Sequence, residues 1–284
     1  MGLIDKIGNT QLLCLTEKEN NFFIKLEGEN PSGSIKDRLV DYLVTKAEEE
    51  ERLRKGQTLI EISTGNTGVA LSMIAREKGY KVEILLPPFV SKERIDKIEN
   101  YGGKAIVSKL DWQETLELVK DKVENEGYFW LDQYRSKESD QYYMPIVKEI
   151  DIELKGKQID YLLAAVGTGG TVMGIGKVLK AKDSKTKVIA VESDKEEPLE
   201  GVINSDVWKI NEKMIYSKTF PDEIVRVKKM AAEKYLQKLN NERVRASISS
   251  GAVLYAAEKL ADKVEGKNFL LISPDGKMRK TDGK

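Results

Sequence analysis

The chain has 284 residues, 40% hydrophobic and 33% charged, with 47 basic against 47 acidic side chains. It is long enough for two domains of ordinary size and carries no net charge that would draw in nucleic acid or an anionic membrane surface. It contains no histidine and one cysteine, which excludes histidine-based nucleophile systems, histidine-ligated zinc, an internal disulfide and any multi-cysteine metal site.

Proton transfer must therefore fall to Lys, Asp, Glu, Tyr or Cys, and a chain so composed is expected to take its electronics from an organic cofactor and to need no metal. Residues 1–8 show no basic segment followed by an apolar one, and no stretch approaches the roughly 18 apolar residues of a membrane span. The sequence reads as a cytoplasmic protein with a small-molecule partner, without nucleic acid or membrane.

Residues 10–15 form a short predicted strand, with Cys14 read as a small buried hydrophobe between leucines. A second strand, 21–26, runs into a loop holding Gly28, Asn30, Pro31, Ser32, Gly33 and Ser34, and the loop delivers Lys36 into the first turn of a helix. Ile35, Leu39, Leu43 and Ala47 recur four apart on that helix, Asp37 and Arg38 are expected to face elsewhere, and Ser34 suits the N-cap. The positive end of the helix dipole disfavours an ammonium there, and a neutral lysine amine forms Schiff bases with aldehydes. One lysine among 47 basic residues is more often a solvated side chain, so the rest of the chain has to support it.

The strand 57–62 ends in Ser63-Thr64-Gly65-Asn66-Thr67-Gly68, followed by a helix with Val69, Leu71, Ile74 and Ala75 on its apolar side. Four small polar donors and two glycines exceed what capping needs and suit an anion nest. Strands at 81–86, 104–108 and 129–131 then alternate with helices at 91–101 and 111–126, which predicts a parallel sheet covered by helices. The polar stretch 132–141 reads as a domain crossing, with Gln133 where a strand opens onto a crevice.

After a helix over 142–154, the strand 161–166 leads into Gly167-Thr168-Gly169-Gly170-Thr171, and the next helix carries Val172, Ile175, Val178 and Leu179. The spacing is not Walker A, because Val178 follows Gly176-Lys177, nor G-x-G-x-x-G, because residue 172 is valine. It suits a compact phosphate monoester with no metal. The strand 187–191 ends in Glu192, 193–221 has no clear periodicity, and a strand at 223–227 and a helix at 228–239 follow. Ala246-Ser247-Ile248-Ser249-Ser250-Gly251 repeats the strand, hydroxyl, glycine and helix pattern, leading to a helix over 252–264, a strand over 268–272 and a polar tail.

With all the glycine- and hydroxyl-rich loops at the carboxyl ends of strands, an amine and two anion nests fit an aldehyde-bearing phosphate cofactor and a carboxylate substrate. On N-P-S-G-S-I-K-D-R at 30–38, S-T-G-N-T-G at 63–68, D-Q-Y at 132–134, G-T-G-G-T at 167–171 and S-I-S-S-G-A at 247–252, the chain resembles the cysteine synthase and cystathionine β-synthase family of pyridoxal 5'-phosphate (PLP) enzymes of fold type II. The resemblance implies an α/β protein of two open, twisted, mainly parallel sheets with flanking helices and PLP in a cleft between domains. The large domain would comprise 1–37 and 146–284, and a small mobile domain 38–145.

By the same resemblance Lys36 is the catalytic lysine in Schiff-base linkage to PLP, Gly167, Thr168, Gly169, Gly170 and Thr171 hold its phosphate, Asn66 meets its 3′ oxygen and Ser249 its pyridine nitrogen. Ser63, Thr64, Gly65, Thr67 and Gln133 would take the substrate carboxylate, and the enzyme would be a homodimer. A serine beside the ring nitrogen leaves that nitrogen neutral and the ring a shallow electron sink, which favours loss of a β-substituent to α-aminoacrylate over transamination. The implied reaction is cysteine synthesis from O-acetyl-L-serine and sulfide.

Three other readings stand beside it. One is a cysteine lyase releasing hydrogen sulfide, with serine or pyruvate as product and Asp206 or Asp222 activating water. A nicotinamide dehydrogenase would use Glu192, 21 residues after Thr171, as its ribose-binding acid. A non-catalytic regulatory or binding relative is the third. The stretch after Glu192 lacks the family's G-I-G segment, and Ser273-Pro274-Asp275-Gly276 is a shortened form of its terminal motif.

Overall fold

A computed structural model of the protein describes residues 2–17, 19–136, 138–208 and 214–276. They form two compact units. The first is Lys36–Gln133 together with residues 2–7, and the second is Gly8–Ile35 together with residues 134–276, against boundaries of 37/38 and 145/146 expected from the sequence.

The first unit is a four-stranded parallel sheet in the order β5 (Lys104–Val107), β4 (Lys81–Leu86), β3 (Thr58–Ile62) and β6 (Phe129–Trp130). Helices α1 (Lys36–Glu49), α2 (Asn66–Lys78), α3 (Lys92–Asn100) and α4 (Trp112–Asn125) belong to it. β3 is buried on both faces, as the strands of a covered parallel sheet are. Leu59 packs with Val69, Ile74 and Ile84 on one side, and Ile60 and Ile62 with Leu85 and Val119 on the other. Of the predicted stripe, Ile35, Leu39 and Ala47 are buried and Leu43 is half-buried, but Val40 and Val44, outside that stripe, are buried too, as are Asp37 and Arg38.

The second unit is a six-stranded sheet in the order β1 (Leu12–Glu17), β2 (Asn20–Leu26), β10 (Asn268–Ser273), β7 (Tyr161–Ala165), β8 (Lys187–Ser193) and β9 (Glu223–Val227). All its pairings are parallel except β1 with β2. β1 is an edge strand on which Leu13 and Leu15 face the core while Cys14 points outward and is exposed, so the expectation of a buried cysteine is corrected by the alternation of strand faces. The helices are α5 (Ser139–Leu154), α6 (Gly170–Lys182), α7 (Lys229–Asn241) and α8 (Ile248–Ala261). α8 begins four residues before the expected start, so Ser249, Ser250 and Gly251 form its first turn. A Cβ on Gly251 would lie 2.2 Å from the Ala232 carbonyl oxygen; this glycine lets α7 and α8 touch and does not cradle an anion.

Candidate active site

The loop before Lys36 is built by side chains. The Asn30 side chain donates to both the Glu27 carbonyl and the buried Glu27 carboxylate, which also accepts the Thr10 hydroxyl at 2.6 Å, and Asn30 Oδ1 accepts the Gly8 N–H. The N–H of Ile35 is taken by Pro274 at 2.8 Å, and Ser34 bridges to Asp275. A Cβ on Gly28 would sit 2.5 Å from the Gly276 nitrogen. The residues 274–276 thus clamp the chain immediately upstream of the lysine.

Lys36 opens α1, and its Nζ lies 3.4 Å from Oε1 of Gln133. The same oxygen accepts the Thr67 hydroxyl at 2.6 Å, and Gln133 Nε2 donates to the Ile62 carbonyl at 3.2 Å. Asp132 holds a left-handed backbone with φ of 55°, which aspartate tolerates better than most residues, and this turn sends Gln133 inward from the end of β6. Burial pushes the Lys36 amine down to about 8, opposed by the negative charge of Glu61. At pH 7 roughly a tenth of such amines are neutral, against well under a thousandth for an ordinary lysine.

Glu61, a carboxylate in the middle of a buried strand, was not singled out in the sequence, although a charge within T-L-I-E-I is the signal that marks it. Its oxygens accept the N–H groups of Ile62 at 2.8 Å and Gln133 at 3.2 Å. Burial, reinforced by the charge of Asp132, raises its carboxyl to about 8. Ser63, in the loop after β3, is also buried, and its Oγ accepts from Gly65 N at 3.0 Å and Gly68 N at 3.1 Å. It therefore caps α2, whose first residue Asn66 accepts from Arg94 at 3.0 Å, while Thr64 is exposed at the tip of the loop.

In the second unit, Gly169 is the N-cap of α6 with φ of 89°. A Cβ there would lie 2.3 Å from Tyr216 Cβ, and one on Gly170 would lie 2.9 Å from the Tyr142 hydroxyl. Gly167 passes close to the Gly201 carbonyl, and the Thr171 hydroxyl donates to Tyr143 at 3.3 Å. The result is a backbone cradle at a helix N-terminus whose walls leave no room for side chains, the arrangement an anion needs.

Tyr216 is fixed by a donated hydrogen bond of 2.9 Å to Glu192, whose other oxygen accepts from Ser205 N and Oγ at 3.0 and 2.8 Å. Burial and this carboxylate push the phenol far above its ordinary range. The fully buried Glu192 holds the residues after β8 in place and is not open to a ribose, which removes the dehydrogenase reading.

Ser249 accepts or donates at 2.7 Å with Ser247 and lies 3.4 Å from Asp275 Oδ1, to which Ser247 also donates. Asp222 accepts from Val188 N at 2.8 Å, placing it at the start of β8, the end of the sheet opposite the glycine cradle, where Lys180 and Lys187 pair with it. Asp206 is exposed and paired with Lys218 at 2.9 Å and Arg226 at 2.6 Å.

The family model described as pyridoxal-phosphate dependent enzyme matches residues 3–275. The chain belongs to this family of PLP enzymes. It is similar to cysteine synthase B of Pseudomonas aeruginosa, with 31% identity over 96% of this chain and 93% of the relative. Its fold matches O-ureido-L-serine synthase with a TM-score of 0.89 and 26% identity, covering 99% of this chain and 93% of that one. A hydrogen sulfide-producing enzyme of Fusobacterium nucleatum matches with a TM-score of 0.87 and 29% identity over 97% of both chains.

This PLP-dependent enzyme therefore acts on β-substituted amino acids, and β-replacement is its chemistry at the level of the family. The residues present fit the cofactor: a glycine cradle that any Cβ would fill stands at the N-terminus of α6, and a desolvated amine opens α1. Among the described residues no group of three or more Cys, Asp or Glu could hold a metal ion, and no helix is long and apolar enough to cross a membrane.

Proposed function

We propose that the enzyme is a cysteine synthase, converting O-acetyl-L-serine and sulfide to L-cysteine and acetate. The observation that carries this reading over sulfide release is the placement of the two candidate water-activating carboxylates. Asp222 is committed to Val188 and two lysines at the far end of its sheet, and Asp206 is held by Lys218 and Arg226 in an exposed ion-pair cluster. Hydrogen bonding to Lys218 and the charge of Arg226 keep the Asp206 carboxyl below its ordinary range, which makes it a poor base.

In this reading residues 167–171 hold the phosphate of PLP, Asn66 its 3′ oxygen, Ser249 its ring nitrogen and Lys36 its aldehyde carbon. PLP supplies the electron sink that makes the substrate Cα acidic. Lys36, with its amine lowered to about 8, takes the Cα proton. Thr64 and the α2 N-terminus bind the substrate carboxylate, with Ser63, Gly65, Thr67 and Gln133 shaping that loop. Thr67 and Gln133 keep the Lys36 amine oriented through the 2.6 and 3.4 Å contacts.

The test compares initial rates of cysteine formation from O-acetyl-L-serine plus sulfide with sulfide release from L-cysteine. Cysteine formation at least tenfold faster is expected; the reverse ratio would overturn the assignment in favour of the lyase. The resemblance also supports a homodimer working in the cytoplasm, which light scattering and fractionation check.

A further inference from the structure

A loop rich in glycine cannot hold its own shape. Gly167, Gly169 and Gly170 have wide backbone freedom, so the N–H groups at the start of α6 stay aimed at one point only if groups outside the loop restrain it. Two tyrosines stand in that place. Tyr142 is carried by α5, which packs on α6, and this pairing secures it against Gly170. Tyr216 belongs to no helix or strand. A Cβ on Gly169 would meet its Cβ, Cγ and Cδ2 at 2.3, 2.8 and 2.9 Å, so this side chain lies directly against the left-handed turn.

What holds Tyr216 is Glu192, fully buried near the end of β8. One carboxylate oxygen accepts the Tyr216 hydroxyl at 2.9 Å, and the other accepts the N–H and hydroxyl of Ser205 at 3.0 and 2.8 Å. Arg226 Nε lies 3.6 Å from that second oxygen. The backbone follows the same plan: Ile203 donates its N–H to the carbonyl of Val166, the residue before Gly167, and Ile215 donates to the Tyr134 carbonyl, each at 2.8 Å. The irregular segment after β8 is thus fastened beside the strand end that launches the glycine loop.

We propose that Tyr216, tied to Glu192, is a positioning residue for the phosphate of PLP, the wall that keeps Gly169 in its left-handed turn and the N–H groups at the start of α6 convergent. This rests on the proposed placement of the phosphate at residues 167–171. Burying a carboxylate is costly unless its partners are well placed, and here those partners are the groups that fix the wall. Tyr216 acts through Gly169, so loss of its tether weakens the grip on the phosphate and leaves the binding of the rest of the cofactor as it was.

The test compares two ligands that differ only in the phosphate group. Cofactor-free protein is prepared from the holoenzyme, and dissociation constants for PLP and for pyridoxal, which keeps the ring and aldehyde, are measured by equilibrium dialysis. Wild type, Y216F and E192Q are compared. Y216F keeps the aromatic wall and removes its tether. E192Q keeps the side chain's size but leaves one acceptor oxygen where Ser205 and Tyr216 each use one. Each variant is expected to bind PLP roughly tenfold more weakly while pyridoxal stays within about twofold of wild type. A merely structural role lowers the binding-competent fraction and weakens both ligands by the same factor, so equal weakening overturns the proposal, as does no change in either. The two variants cut the tether from opposite ends, and either one that folds decides the question. If the wild type itself binds PLP and pyridoxal equally, the phosphate is not held by the glycine loop and the underlying placement fails instead.

Discussion

The glycine cradle at α6 and the loop at α2 are both helix N-termini following a buried strand, yet they are walled differently. At Gly169 and Gly170 a Cβ would meet fixed groups, the Tyr216 backbone-proximal carbon and the hydroxyl of the buried Tyr142. At Gly65 a Cβ would meet the Arg94 guanidinium at 1.7 Å, the far end of a flexible side chain. The first site is shaped by backbone and rigid rings and suits a group that never changes, whereas the second is shaped by movable side chains and suits a ligand that turns over. Rigid walls give precision, and movable ones leave room for adjustment to the substrate.

The largest test removes the lysine. Lys36→Ala is expected to lower turnover by roughly 10³-fold or more, read from steady-state rates with added PLP. Next comes Gly169→Ala, which forces a Cβ onto Tyr216 at a φ of 89°. A loss of about 1–3 kcal/mol in unfolding free energy and at least a tenfold weaker retention of PLP are expected. Gly65→Ala is the matched probe on the other side, where the added Cβ meets the movable Arg94 side chain and no fixed ring or backbone. Its loss of unfolding free energy should be smaller than that of Gly169→Ala, while displacement of Arg94 from Asn66 raises the KM for the amino acid several-fold.

Gln133→Ala strips the Thr67 hydroxyl and the Ile62 carbonyl of their buried partner and is expected to cost about 1–3 kcal/mol, with KM rising more than kcat falls. The smallest effect is in pH. Glu61, raised from its ordinary 4.5 to about 8, keeps its proton when folded and loses it when unfolded, so it makes stability fall as pH rises across that window. Lys36, lowered from 10.5 to about 8, binds its proton less tightly when folded, so it makes stability rise with pH above about 8. In cofactor-free protein, Glu61→Gln should flatten the first slope and Lys36→Met the second, as measured by melting temperature against pH.

Among the described residues the strands and α-helices stand where periodicity and glycine punctuation place them to within a few residues, because local pattern is enough to specify alternating strands and helices. The loops with hydroxyls and glycines were legible for the same reason. Glu61 was not read as part of the site although its charge breaks an apolar strand, since that reading needs the position of Gln133, 72 residues later. Asp275 looked like part of a polar tail, and its bond to Ser247 joins residues 28 apart. Tyr216 lies in a stretch with no periodicity, and its place against Gly169 depends on Glu192. Cys14 was misjudged because neighbouring leucines on a strand point to the opposite face.

The pairing of β2 with β10 joins Asn21 to Asn268, 247 residues apart in sequence. At translation rates of about 5–20 residues per second, β2 waits on the order of tens of seconds for this neighbour, while every residue of the first unit has been made well before it. The clamp of residues 274–276 on the loop before Lys36 forms later than β2 and the loop are made, because it needs residues about 240 positions further along. Until residues 274–276 have been made, the chain before Lys36 lacks their hydrogen bonds to residues 33–35.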